Sequence, residues 1–210
     1  MTERGLFISF EGTDGCGKTT QKRLLTERLR QLGHSVVETV EPGGTAIGAQ
    51  VRSILLDPSN SEMSAVAELL LYFSARAQNA DECIRPALES GRMVLTDRFT
   101  DSTLAYQGYG RGLGEEVVLQ LDSIACRGLK PDLTFLFDID LETSLRRRSA
   151  RNVLGSDRMD SQAAEFYERV RGGYLAIATR EPERFAVIDG RPDVEAVAAA
   201  VWARIEPLLP

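Results

Sequence analysis

One stretch limits the folds open to this chain more than any other: Gly12-Thr13-Asp14-Gly15-Cys16-Gly17-Lys18-Thr19. It satisfies the phosphate-loop pattern G-x-x-x-x-G-K-[ST] at every fixed position. An apolar β-type run at residues 6–10 precedes it, and Leu24, Leu25, Leu29 and Leu32 follow at helical spacing. Strand, glycine loop and helix in that order are what phosphate binding needs. The glycines let backbone N–H groups turn inward around phosphate oxygens, and the helix N-terminus adds its positive dipole end. All eight loop residues are therefore candidate nucleotide contacts. Lys18 is placed to reach the β- and γ-phosphates, and the Thr19 hydroxyl to ligate Mg²⁺. A turn that merely joins strand to helix would require neither of these two side chains.

The rest of the chain repeats the alternation. β-type runs fall at 6–10, 35–40, 92–96, 133–138 and 184–188, and helical patterns at 19–32, 47–56, 65–88, 115–125, 141–148, 162–180 and 194–208. This predicts an α/β phosphate-loop NTPase fold: a five-stranded parallel sheet with helices on both faces and ligands at the carboxyl ends of the strands. At 210 residues without a repeat or linker, a single domain spanning 1–210 is expected. Pro86 is expected to kink or end the long third helix.

Charge and cysteine content narrow the setting. A net charge of -6 argues against a broad nucleic-acid-binding surface. Cys16, Cys83 and Cys126 follow no metal-ligand spacing and cannot all pair, which fits a reduced, cytoplasmic protein. No apolar run reaches membrane-spanning length and no signal peptide opens the chain, so no membrane association is expected. One histidine, His34, at a helix–strand turn and expected to face solvent, leaves no room for a histidine triad or a zinc site. Cys16 reads as a small residue suited to a tight loop.

Two segments carry further chemistry. On the third helix, Val66, Leu69, Leu70, Phe73, Ala77, Ala80, Ile84 and Leu88 form an apolar stripe expected to face the core. Tyr72, Arg76 and Asn79 share a neighbouring face, where periodicity alone favours a surface Tyr–Arg pair. The strand at 92–96 runs into Asp97, a position suited to holding Mg²⁺ directly or through water. Arg98 beside it could neutralise an acceptor phosphate; the plainer reading is a salt bridge to Asp97 or Asp101.

Taken together, the loop at 12–19, Glu41-Pro42-Gly43-Gly44-Thr45 and the run from Asp97 to Gly112 resemble the bacterial thymidylate kinase family. The resemblance continues through Pro131-Asp132 and an arginine-rich stretch to Tyr174. It implies transfer of the γ-phosphoryl group of ATP to dTMP, with Mg²⁺, by a homodimer packed through helices. By the same resemblance, Asp14 lies near the sugar 3′-hydroxyl, Tyr72 stacks on thymine where the family usually has Phe, and Arg76 reads a thymine carbonyl. Arg98 grips the acceptor phosphate, Thr103 and Gln107 help to recognise the base, and Tyr106 packs near the sugar. Val40 stands where bacterial members usually have an arginine.

The loop itself has no arginine to meet transition-state charge. Arg146-Arg147-Arg148-Ser149-Ala150-Arg151 runs into a Gly- and Ser-containing stretch, which suits a lid at about 147–160. This resembles the subclass that supplies its arginine from the lid, with Arg151 the first candidate, Arg147 the next and Arg158 a further alternative. The competing readings are another nucleoside monophosphate kinase, a GTPase and a partition ATPase. The chain lacks the Asn-Lys-x-Asp element of the GTPases. It also lacks the second early loop lysine usual in partition ATPases, having Thr13 and Asp14 there.

Overall fold

The computed structural model describes residues 4–151, 158–159 and 163–209, with the side chains of 148–151 outside the description. Its strands are β1 (Phe7–Glu11), β2 (Val36–Val40), β3 (Met93–Asp97), β4 (Leu133–Asp138) and β5 (Phe185–Asp189). They pair in parallel in the order β2-β3-β1-β4-β5. The helices are α1 (Lys18–Gln31), α2 (Ala46–Leu56), α3 (Ala65–Asn79), α4 (Arg85–Glu89), α5 (Thr100–Thr103), α6 (Glu115–Cys126), α7 (Leu141–Arg151), α8 (Ala164–Arg180) and α9 (Val194–Ile205). Each expected strand is present, four of them displaced by a residue at one or both ends.

Every residue of β1 is buried, as expected for a strand covered on both faces. Successive side chains serve opposite layers. Phe7, Val94 and Leu136 pack with Leu69 and Phe73 of α3, Val118 of α6 and Val170 of α8. Ile8, Phe10, Leu95 and Phe135 pack with Leu25 and Leu29 of α1 and with Val197 and Val201 of α9. The β1–β3 register pairs Phe10 with Asp97, which sets the phosphate loop directly beside the turn after β3.

Two sequence expectations about the third helix need correction. Pro86 does not end the helix, since helical structure runs on to Glu89. A widened π turn at Ala80–Ile84, closed by the Arg85 N–H on the Ala80 carbonyl, precedes the ring and changes the register in which its N–H would be missed. The stripe on α3 is also not all core. Val66 and Leu70 are 55% and 51% exposed, while Glu68, Arg76 and Asn79 are buried in their place. Polar groups displace apolar ones there because α3 walls a polar cleft, and ionic partners from other elements reach in to meet them.

Candidate active site

The phosphate loop leaves β1 through Gly12 at φ 131, where a side chain would come within 2.5 Å of the Phe137 carbonyl oxygen. Glycine is required there by both conformation and space. Lys18 is buried, and its Nζ donates to the carbonyls of Gly12 and Thr13 at 3.0 Å each. Asp14 lies 3.9 Å away. The ammonium is thus held at the mouth of the loop by the backbone that would surround a phosphate. Cys16 is buried with its Sγ 3.6 Å from that Nζ, packed beneath Gly12. The Thr19 hydroxyl donates to Asp97 Oδ2 at 2.8 Å. The two residues expected to hold Mg²⁺ are therefore in contact. Among the described residues no cluster of three His, Cys, Asp or Glu side chains could hold a metal alone. One carboxylate beside one hydroxyl suits an ion that shares its coordination with substrate phosphates.

Arg98 stands across the loop in a left-handed conformation, φ 72, sparsely populated for a residue with a side chain. Its Nη2 donates to Asp14 Oδ1 at 2.7 Å, and its Nη1 to the Gly12 carbonyl, Ser102 Oγ and the Tyr174 hydroxyl. The expected salt bridge to Asp97 or Asp101 is not the one made, because Asp101 pairs with Arg184 at 2.6 Å. Arg98 instead faces the acceptor cleft together with Tyr106, whose ring lies 4.9 Å from the guanidinium. Burial pushes the Tyr106 and Tyr174 hydroxyls well above their ordinary range, so both remain neutral donors.

The cleft has about 560 Å³ of open space, and its walls include Asp14, Tyr72, Arg76, Arg98, Thr103, Tyr106 and Gln107. Every acceptor-site residue named from sequence is thereby brought together. The surface Tyr–Arg pair is overturned: Arg76 is 1% exposed. Its Nε donates to Glu41 Oε2 at 2.5 Å, and its Nη2 to Thr103 Oγ1 and the Phe99 carbonyl. Its buried Nη1 has no hydrogen-bond partner. A buried guanidinium with one donor held open is arranged for a ligand acceptor. Burial pushes the Tyr72 hydroxyl to about 12, leaving an uncharged ring at the cleft wall.

Of the lid candidates, Arg147 donates to the carbonyls of Gly190 at 2.7 Å and Arg191 at 3.1 Å and reaches that of Gly15 at 3.4 Å. It braces the phosphate loop against the turn after β5, beside an open cleft that Gly17, Gln21 and Pro192 help to line. Arg158 is buried on Glu68 and the Leu55 carbonyl. The Arg151 side chain and residues 152–157 and 160 of the expected lid lie outside the described residues. His34, expected to face solvent, is half-buried.

Sequence reasoning missed Glu11, Glu41, Glu68 and Ser102. Glu11 Oε1 accepts from the Phe99 N–H at 2.7 Å, and Oε2 from Ser102 Oγ at 2.5 Å and the Tyr174 hydroxyl at 3.1 Å. A usable signal existed. β1, β3, β4 and β5 each end on a carboxylate, and Glu41 follows β2 directly, so two of the three missed acids, Glu11 and Glu41, lie at the ligand-bearing edge of the sheet, while Glu68 sits on α3.

Comparison with known proteins gives one consistent set. A family model described as thymidylate kinase matches residues 10–201. A thymidylate kinase of Pelobacter propionicus is 50% identical over 205 residues, 96% of this chain and 94% of the relative. One of Geobacter sulfurreducens is 50% identical over 201 residues, 94% of each chain. Among solved structures, thymidylate kinase from Ehrlichia chaffeensis superposes with a TM-score of 0.79 at 35% identity, covering 97% of this chain and 99% of that one.

Proposed function

This chain belongs to the thymidylate kinase family, and we propose the following division of its site. The enzyme transfers the γ-phosphoryl group of ATP to dTMP, giving dTDP and ADP. The observation that carries this reading is the acceptor cleft. Arg98 stands at the end facing the phosphate loop, and Arg76, whose buried Nη1 has no hydrogen-bond partner in the protein, lines another wall. A nucleoside monophosphate laid between them offers its phosphate to Arg98 and its base to Arg76 and Tyr72. Tyr72 supplies a stacking face, Thr103 and Gln107 flank Arg76, and Tyr106 and Asp14 border the sugar.

On the donor side, residues 12–19 bind the ATP phosphates, and the cleft beside Arg147 and Arg191 receives the donor base. Lys18 exchanges its contacts with the Gly12 and Thr13 carbonyls for phosphate oxygens. Arg98 holds the acceptor phosphate in line with the loop, so proximity and fixed charge supply the catalysis. Thr19 and Asp97 would hold Mg²⁺, which supplies positive charge against the β- and γ-phosphates. The lid arginine meeting transition-state charge is Arg151, with Arg147 and then Arg158 as the alternatives. We assign the chain to the cytoplasm, as one catalytic domain with a lid at about 147–160, working as a homodimer without nucleic-acid or membrane partners.

ADP release measured with ATP, Mg²⁺ and each of dTMP, dUMP, CMP, UMP, AMP and GMP tests this. The expected outcome is turnover with dTMP that far exceeds AMP or GMP. Lys18→Ala should lower kcat by about 10²–10³-fold with the fold retained, as for loss of one preorganised charge partner. Turnover with AMP or GMP equal to that with dTMP, or an unchanged kcat in the Lys18 variant, contradicts the assignment.

A further inference from the structure

Glu68 does not line the acceptor cleft, yet it governs a wall of it. The side chain is 1% exposed on the inner face of α3. Three side chains converge on its carboxylate. Gln107 Nε2 donates to Oε1 at 2.7 Å, Arg111 to Oε1 at 3.1 Å and Oε2 at 3.0 Å, and Arg158 to Oε2 at 2.5 Å. Burial pushes this carboxyl upward, but the hydrogen bonds from Arg111, Gln107 and Arg158 outweigh it and hold the group below the usual carboxylate range. An ionised carboxylate only accepts hydrogen bonds.

That restriction passes to Gln107. An amide has one donating and one accepting end, and its donating end is committed to Glu68. With one N–H of Nε2 held by the Glu68 carboxylate the amide cannot turn over, and for a ligand in the cleft that Gln107 lines its accepting group is Oε1. Arg76 supplies the opposite character. Glu41, Thr103 and the Phe99 carbonyl take its Nε and Nη2 and leave the buried Nη1 as a donor without a partner in the protein. The cleft therefore offers one donor and one acceptor whose polarity is set from behind.

We propose that Glu68 is a specificity-determining positioning residue, which fixes the Gln107 amide so that the cleft reads a C4 carbonyl beside an N3–H. This rests on the reading of the cleft as the dTMP site. Thymine and uracil present that edge. Cytosine presents the reverse, an amino donor at C4 and an unprotonated acceptor at N3. With the amide fixed, cytosine sets acceptor against acceptor and donor against donor, and unmatched buried polar groups are the costly kind. Arg158 and Arg111 belong to the device because they keep Glu68 ionised and in place.

The test compares kcat/KM for dTMP, dUMP and dCMP in the full-length protein. In Glu68→Gln, residue 68 becomes able to donate as well as accept, so Gln107 is free to turn over. The expected result is a rise of about tenfold or more in the dCMP:dTMP ratio, with the dUMP:dTMP ratio unmoved. An equal fall for all three nucleotides, ratios unchanged, marks Glu68 as a plain structural hub and overturns the proposal. Should Glu68→Gln fail to unfold cooperatively, Gln107→Leu decides, since it leaves the Arg111–Glu68–Arg158 pairs intact. It should lose discrimination against dCMP, and full retention overturns the proposal. A parent inactive on dTMP removes the functional reading and this proposal together; an active parent whose variants keep the parental ratios removes this proposal alone.

Discussion

Glu11 is a carboxylate that the fold has taken out of water and then surrounded with donors. Burial raises its pKa to about 7, the nearby Asp101 charge adds to the rise, and the hydrogen bonds from Ser102 and Ser9 and the Arg98 charge only partly oppose it. Its bond to the Phe99 N–H fixes the backbone immediately after Arg98, the residue held at φ 72. Ser102 and Tyr174 bond both Glu11 and Arg98, so one buried acid steadies the loop and the side chain that meet the acceptor phosphate. A raised carboxyl pKa means that the folded state binds a proton more tightly than the unfolded chain. The stability it contributes is complete below about 4.5 and is lost as pH rises to about 7, a change of about 3 kcal/mol for a shift of this size. Urea midpoints of parent and Glu11→Gln between pH 4.5 and 8 check this. The parent should lose more stability than the variant across the window, and parallel curves would show that Glu11 does not titrate there. Glu41, also raised by burial, is common to both proteins and cancels from the difference. Lys18 and Arg98 were readable from sequence because they sit in spaced motifs, whereas Arg76 entered only through the family resemblance, its helical periodicity alone pointing to the surface. Among the site's acids Asp14 and Asp97 were readable too, and Glu11 left a trace as a strand-end carboxylate, but Glu68 acts through a three-dimensional convergence that no spacing records.

At the level of elements, α8 and the helical segment after α5 meet through a pair of glycines. A β-carbon on Gly173 of α8 would lie 2.7 Å from Tyr109 Cγ, and one on Gly110 would lie 2.7 Å from Phe166 Cε2. These close approaches bring Tyr106 against Phe166 and Tyr174, which sets the sugar-side wall of the cleft. Gly172, one residue earlier on the same helix, has nothing within 4 Å of its virtual β-carbon. The two positions separate helix propensity from packing. Gly172→Ala should stabilise by about 0.5–1 kcal/mol through propensity alone. Gly173→Ala should destabilise by about 1–2 kcal/mol, because displacing the near end of the Tyr109 ring outweighs the same gain. Denaturant midpoints of the two variants should shift in opposite directions; shifts of the same sign would mean that the contact is loose. The strand order came from the structure, whereas the five strands and the α/β alternation followed from the sequence because buried parallel strands are nearly continuous apolar runs. The π turns at Ala80–Ile84 and Leu104–Gly110 did not, since a one-residue widening of a helix barely changes the apolar period over so short a span.

On the scale of the whole molecule, the stripe residues that the core does not use form a second surface. α3 packs between α2 and α6, and all three present apolar side chains outward. Val66 and Leu70 on α3 lie one turn apart, Ile54 on α2 is 46% exposed and Ile124 on α6 is 72% exposed. Large aliphatics turned outward on three neighbouring helices are the composition that an interface between subunits would use. The occupant proposed here is a second copy of the chain, in keeping with the homodimer that the family resemblance implies. A self-complementary pairing about a two-fold axis would cover the same face on both subunits. α3 also carries Tyr72, Arg76 and Glu68 on its other side, so an interface along its outer face would hold the acceptor wall in place. Leu70→Glu sets a carboxylate on the outer face of α3, where covering it would cost several kcal/mol unpaired. Sedimentation equilibrium at micromolar concentration should find the parent dimeric and Leu70→Glu monomeric, with the KM for dTMP raised more than kcat is lowered. A parent that sediments as a monomer at tens of micromolar would leave the outer face of α3 without its partner and remove the dimer from the account.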